Sequence, residues 1–224
     1  MRKALFLLII IFYINCFAYE LKINKSDRLA IEQSPKKSAI LKRLEEYKIF
    51  QEEVRVVDIN KKISLVNFFI NKTLPEFDSK SVGIDDYWMT PKEFLIKGYG
   101  DCEDYAIAKY FTLLNLGVNK EYLYLAIVDV KGSLTSHMVL LYAEDKNSSP
   151  LVLDNLSFRV LTLEQREDLI PKLAFNEIDS YQISSKKFLR PVSIDWQNDN
   201  KWEKLLQRVY ILDEWFYRTS YIFY

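Results

Sequence analysis

One cysteine, one histidine and one aspartate carry most of the chemistry open to this chain. Cys102 follows the turn Tyr99-Gly100-Asp101 and opens a stretch in which Ile107, Phe111 and Leu114 share a helical face, with Gly117 as the stop. A thiol at a helix N-terminus meets free backbone N–H groups and the positive end of the helix dipole. Both favour the thiolate, and the same N–H groups can face the oxyanion of a tetrahedral intermediate. His137 is the only imidazole in the chain and lies on an extended, apolar stretch. Asp154 ends the next such stretch, Leu151-Val152-Leu153. A helix-borne thiol, a strand-borne base and a carboxylate that orients the base make up the nucleophile–base–orienter arrangement of acyl transfer. Each group also has a plainer reading: a buried structural Cys, a satisfied His on an apolar strand, an Asp that caps a turn. Spacing leaves both readings open.

The elements that must position these groups are legible around them. Ser34-Pro35 reads as a helix start, followed by Ile40, Leu44 and Tyr47 at helical spacing. Asp58 reads as the cap of a second helix with Ile59, Ile63, Val66 and Ile70 on one stripe. Thr90-Pro91-Lys92-Glu93 is a capping box, which predicts a short helix from Pro91 to Lys97 ending at Gly98. The helix that opens at Cys102 should run to Leu116. Beyond Gly117 the pattern turns extended: Tyr122 to Val130 and His137 to Ala143 form a hairpin about Lys131-Gly132-Ser133, followed by Leu151–Leu153 and Phe158–Leu161. Helices first and a meander of strands after predict an α+β domain, N-terminal helices packed on an antiparallel sheet, over residues 19–183. Residues 184–224 read as a C-terminal extension whose Trp202, Leu205, Leu206, Val209, Leu212 and Phe216 share a face that should dock on the core.

Composition closes off several classes. The 224 residues carry 31 basic and 31 acidic side chains, so no global field attracts nucleic acid. Five glycines and no G-x-G-x-x-G or Walker-type run argue against a nucleotide-binding loop. Met1-Arg2-Lys3, an apolar run and the small pair Cys16 and Ala18 match an export signal, residues 1–18, cleaved after Ala18. An uncleaved anchor or lipidation at Cys16 is the alternative. Cleavage would leave Cys102 as the sole thiol, with no internal disulfide.

The stretch from Asp86 to Leu95 (DYWMTPKEFL), then Gly98-Tyr99-Gly100-Asp101-Cys102-Glu103-Asp104-Tyr105-Ala106-Ile107-Ala108-Lys109-Tyr110, resembles the signature of the bacterial transglutaminase-like cysteine proteinases. Ser136-His137-Met138-Val139-Leu140 and Pro150 to Leu156 are similar to that family's histidine and aspartate motifs, in the same order. The resemblance implies a transglutaminase/papain-like fold with Cys102 as nucleophile, His137 as general base and then acid, and Asp154 as orienter. It also implies a periplasmic endopeptidase that clips the N-terminal region of a large secreted adhesin and so controls biofilm attachment. A cyclic-di-GMP receptor of the inner membrane would be its sequestering partner. Calcium is implied at Asp101 and Glu103, with Asp104 beside them. Charge supports that independently, since acids beside a thiol raise its pKa and a bound cation reverses the sign. Hard oxygen donors favour Ca²⁺ over zinc. A transglutaminase or amidase acting on another periplasmic protein, and a non-catalytic binding module, share the fold and stay open.

Overall fold

The computed structural model describes residues 19–75 and 87–210. The export signal, Asp86 of the motif, and Leu212 and Phe216 of the tail lie outside those residues. Among these residues six α-helices, a short 3-10 turn (Lys120–Tyr122) and nine strands follow in order: α1 (Lys25–Gln33), α2 (Lys37–Val54), α3 (Ile59–Ile70), β1 (Leu74–Pro75), α4 (Pro91–Lys97), β2 (Tyr99–Gly100), α5 (Cys102–Asn115), the 3-10 turn, β3 (Leu123–Val130), β4 (Ser136–Tyr142), β5 (Leu151–Asp154), β6 (Ser157–Thr162), β7 (Leu169–Phe175), β8 (Ser180–Ser184), β9 (Lys187–Pro191) and α6 (Lys201–Tyr210). Among the described residues no helix is long and apolar enough to cross a membrane.

Local chemistry starts most of these elements where expected. Asp58 caps α3 by accepting from the Lys61 N–H at 3.0 Å, and Ile63, Val66 and Ile70 are buried. Thr90 and Glu93 close the capping box of α4, which stops at Gly98 in the left-handed region at φ 81°. The N-terminus differs. Asn24 and Asp27 form a capping box that begins α1, so Ser34 ends that helix and α2 begins only at Lys37.

α5 is the organising element. Every residue from Glu103 to Asn115 is buried, because α3, α4 and the strands β3, β4 and β5 all pack on it. β3 to β9 form one antiparallel sheet in the order β6-β5-β4-β3-β7-β8-β9. β7 is absent from the sequence pattern because Pro171 interrupts it. The ladder absorbs that residue at a register shift opposite Ile127 and Val128. The sheet also runs past Ile183, where the sequence reading ends the domain. Ser185 and Lys186, both at positive φ (48° and 65°), make a two-residue turn that pairs β9 with β8. α6 docks as expected. Leu205 is 0% exposed, Trp202 meets the rings of Tyr110 and Phe175 edge-on, and Arg208 pairs with Glu93 at 2.8 Å.

Candidate active site

The turn before α5 has little room. A Cβ on Gly100 would sit 2.7 Å from Asp104 Oδ2, so only glycine lets that carboxylate reach back and accept from the Asp101 N–H at 3.2 Å. The other oxygen of Asp104 accepts from the Met89 N–H at 2.8 Å. Asp104 is 0% exposed, and both of its oxygens therefore tie backbone to the helix mouth. Cys102 is the first residue of the helix and is half-buried. Its thiol donates to Glu103 Oε2 at 3.0 Å, and its sulfur receives the backbone N–H of Met138, the residue after His137.

With the protein's own groups alone, this environment opposes an anionic sulfur. Burial pushes the Cys102 thiol well above its ordinary value. The Glu103 charge and hydrogen bond and the Asp101 charge push the same way, and only the Met138 N–H pulls it down. Burial and the two neighbouring acids thus oppose the thiolate that the helix mouth was expected to favour.

Asp154 shows the opposite balance. Adjacent strands β4 and β5 carry His137 and Asp154, and His137 Nε2 donates to Asp154 Oδ1 at 2.8 Å. The same oxygen accepts from the Leu156 N–H at 3.0 Å, and Oδ2 pairs with Arg166 Nη2 at 2.8 Å. Burial would raise this carboxyl, which is 1% exposed. The imidazole, the Leu156 N–H and the Arg166 guanidinium instead hold it down to about 2. Arg166 is itself set by a two-pronged bond to Asp168 at 2.8 and 2.7 Å. Asn71, just past α3, donates to the Asp154 carbonyl at 2.8 Å. Sequence reading missed both Arg166 and Asn71. Each lies far along the chain from its partner, in a segment with no local motif.

The structure thus brings His137 and Asp154 into direct contact and sets the Cys102 sulfur against the backbone beside His137. Asp101 and Glu103 flank that sulfur as hard oxygen donors, suited to a cation such as calcium. Among the described residues no three His, Cys, Asp or Glu side chains gather to hold an ion unaided. Carbonyl oxygens and water would have to complete a shell.

Comparisons with known proteins place this geometry among relatives. The family described as bacterial transglutaminase-like cysteine proteinase matches residues 43–168, more than half of the chain. Solved structures of Legionella pneumophila LapG are similar throughout. The EGTA-treated form is 29% identical, with TM-score 0.70 over 86% of this chain and 100% of that one. A second LapG structure is 30% identical, with TM-score 0.68 over 86% and 99%. A calcium-bound form is also 30% identical, with TM-score 0.68 over 84% and 99%. No curated protein matches the sequence.

Proposed function

The chain belongs to the bacterial transglutaminase-like cysteine proteinases, and from that premise we propose that it is an exported, calcium-dependent endopeptidase that cuts the N-terminal region of a large secreted adhesin. The reading rests on one observation: the lone imidazole is clamped through Nε2 to a buried carboxylate, with the Cys102 sulfur held at the backbone of the next residue.

Nδ1 of His137 is the nitrogen left to take the Cys102 proton. The freed sulfur attacks the scissile carbonyl, and the oxyanion faces the backbone N–H groups that begin α5. The imidazolium then gives its proton to the leaving amine, which leaves a thioester on Cys102. Water, deprotonated by His137, attacks the thioester and releases the acid, and the proton returns to sulfur. Asp154 stays ionised throughout, since its carboxyl is held near about 2, and it fixes the tautomer that keeps Nδ1 as the acceptor. Calcium, held by Asp101 and Glu103 with carbonyls and water, would offset the acid charges that keep the thiol protonated. Asp104, whose oxygens are both spent on backbone N–H groups, positions the helix mouth beneath it.

The calcium-bound and EGTA-treated relatives support the metal. The export pattern of Met1–Ala18 supports the periplasm, and an inner-membrane cyclic-di-GMP receptor is the partner consistent with that location. The test incubates wild type and Cys102→Ala with the N-terminal fragment of a giant repeat-rich adhesin from the same genome, in calcium. Wild type should yield two fragments whose masses sum to the substrate plus one water, and Cys102→Ala none. An intact substrate, or a cross-linked product that has lost ammonia, would overturn the reading.

A further inference from the structure

Asp154 has two oxygens, and its own side chain does not choose which of them faces the imidazole, because the last torsion of an aspartate is broad and two-fold. Oδ1 accepts from His137 Nε2 at 2.8 Å and from the Leu156 N–H at 3.0 Å. Oδ2 is buried, and among the described residues its ion pair is with Arg166 Nη2 alone, at 2.8 Å. We propose that Arg166 is a positioning residue of the active site, which by occupying Oδ2 fixes the plane of the carboxylate and keeps Oδ1 on the imidazole. Lys186, from the turn between β8 and β9, holds Arg166 in that place. The proposal rests on the reading of His137 as the base.

An arginine that served only its own loop could pair with the half-exposed Asp168 and keep its head in water. Arg166 is buried instead, with Nη1 left without a hydrogen bond, and what that burial gains is the ion pair with Asp154. The two bonds from Nε and Nη2 to Asp168, at 2.8 and 2.7 Å, fix the planar fork in one orientation. The backbone of Arg166 is fixed as well. Its N–H reaches the Thr162 carbonyl at 3.2 Å, and its own carbonyl accepts from the Leu169 N–H at 3.1 Å and from Lys186 Nζ at 2.7 Å. The same ammonium donates to the Leu169 carbonyl. Ser185 and Lys186 hold positive φ without being glycine, a conformation that persists where the surroundings over-determine it. The bonds of Lys186 to the Arg166 segment supply that hold. A line of direct contacts thus runs from the β8–β9 turn through Arg166 and Asp154 to His137.

The chain's single histidine makes the ring readable. In untagged, ¹⁵N-labelled protein with calcium, two-bond ¹H–¹⁵N spectra of the neutral ring show which nitrogen carries the proton. Wild type should show a protonated Nε2 and a bare Nδ1. Arg166→Met should move both nitrogens toward the average of the two tautomers. Its kcat for adhesin cleavage should fall about 10- to 100-fold, with KM within about twofold of wild type. Arg166→Lys, which keeps a cation beside Oδ2, should restore the wild-type ring pattern. A folded Arg166→Met with the wild-type pattern overturns the proposal. So does an Arg166→Lys ring as altered as that of Arg166→Met, and neither result depends on whether the protein cleaves an adhesin. Where Arg166→Met does not fold, Lys186→Met decides, since Lys186 lies in a two-residue turn at the edge of the sheet. An averaged ring pattern in Lys186→Met supports the clamp, and the wild-type pattern overturns it.

Discussion

Around Asp154 the fold gathers an imidazole, a backbone N–H and a guanidinium, whereas around Cys102 it gathers two acids. The carboxylate is consequently held ionised by the protein itself, and the thiol is held protonated by the protein itself. One half of the site is complete as folded, and the other is completed by whatever neutralises Asp101 and Glu103. A protease built this way can be stored with its base oriented and its nucleophile off. On the proposed reading, the calcium supply would decide when the sulfur acts. The difference has a structural origin. His137, Asp154 and Arg166 come from two strands and a following loop, whose sheet order lets opposite charges meet. Asp101, Cys102 and Glu103 are consecutive at one helix mouth, where like charges cannot separate.

The complete half is broken most directly at its carboxylate. Asp154→Asn keeps the shape but presents an amide to Nε2, so the wrong tautomer is favoured. Cleavage should fall by about 10³- to 10⁴-fold, measured as initial rates at saturating calcium. A rate within threefold of wild type would show that some other group orients the ring.

The conditional half is probed at the thiol. The rate of Cys102 alkylation by iodoacetamide, followed against pH, should fall by about 100-fold near neutrality when EGTA replaces calcium, as expected if the thiol pKa rises by about two units. Glu103→Gln removes the nearest acid and should shrink that calcium effect to about tenfold. Equal rates in calcium and EGTA would mean that the acids do not govern the sulfur.

The smallest effect concerns stability. Asp154 is depressed in the folded chain to about 2 from an ordinary value near 3.8. Its contribution is therefore present above the unfolded value and lost as pH falls from 3.8 through about 2. That amounts to about 2 kcal/mol, read as the acid limb of urea-unfolding midpoints. Asp154→Asn should flatten this limb, measured in calcium-free buffer so that metal held by Asp101 and Glu103 adds no slope of its own.

Much of the architecture was legible because it is written locally. Asp58, the Thr90–Glu93 box, Gly98 and Gly117 each mark a helix boundary through contacts within a few residues. The strands that carry His137 and Asp154 show unbroken apolar patterning. β7 was hidden by Pro171, whose exclusion from strands holds only where no bulge absorbs it. β9 was hidden by Ser185-Lys186, a turn that lacks the glycine or asparagine such geometry usually recruits. Arg166 and Asn71 reach Asp154 across 12 and 83 residues of chain, and no local spacing announces either contact.

The sequence by itself determined the residue types, their order and the elements that carry them, because caps, turns and apolar periodicity act over one or two turns of backbone. Only the tertiary structure decided the charge states of the site. The ionisation of Cys102 or Asp154 follows from burial and from every charge that the packed helices and strands bring within reach. That sum exists only after distant segments have met.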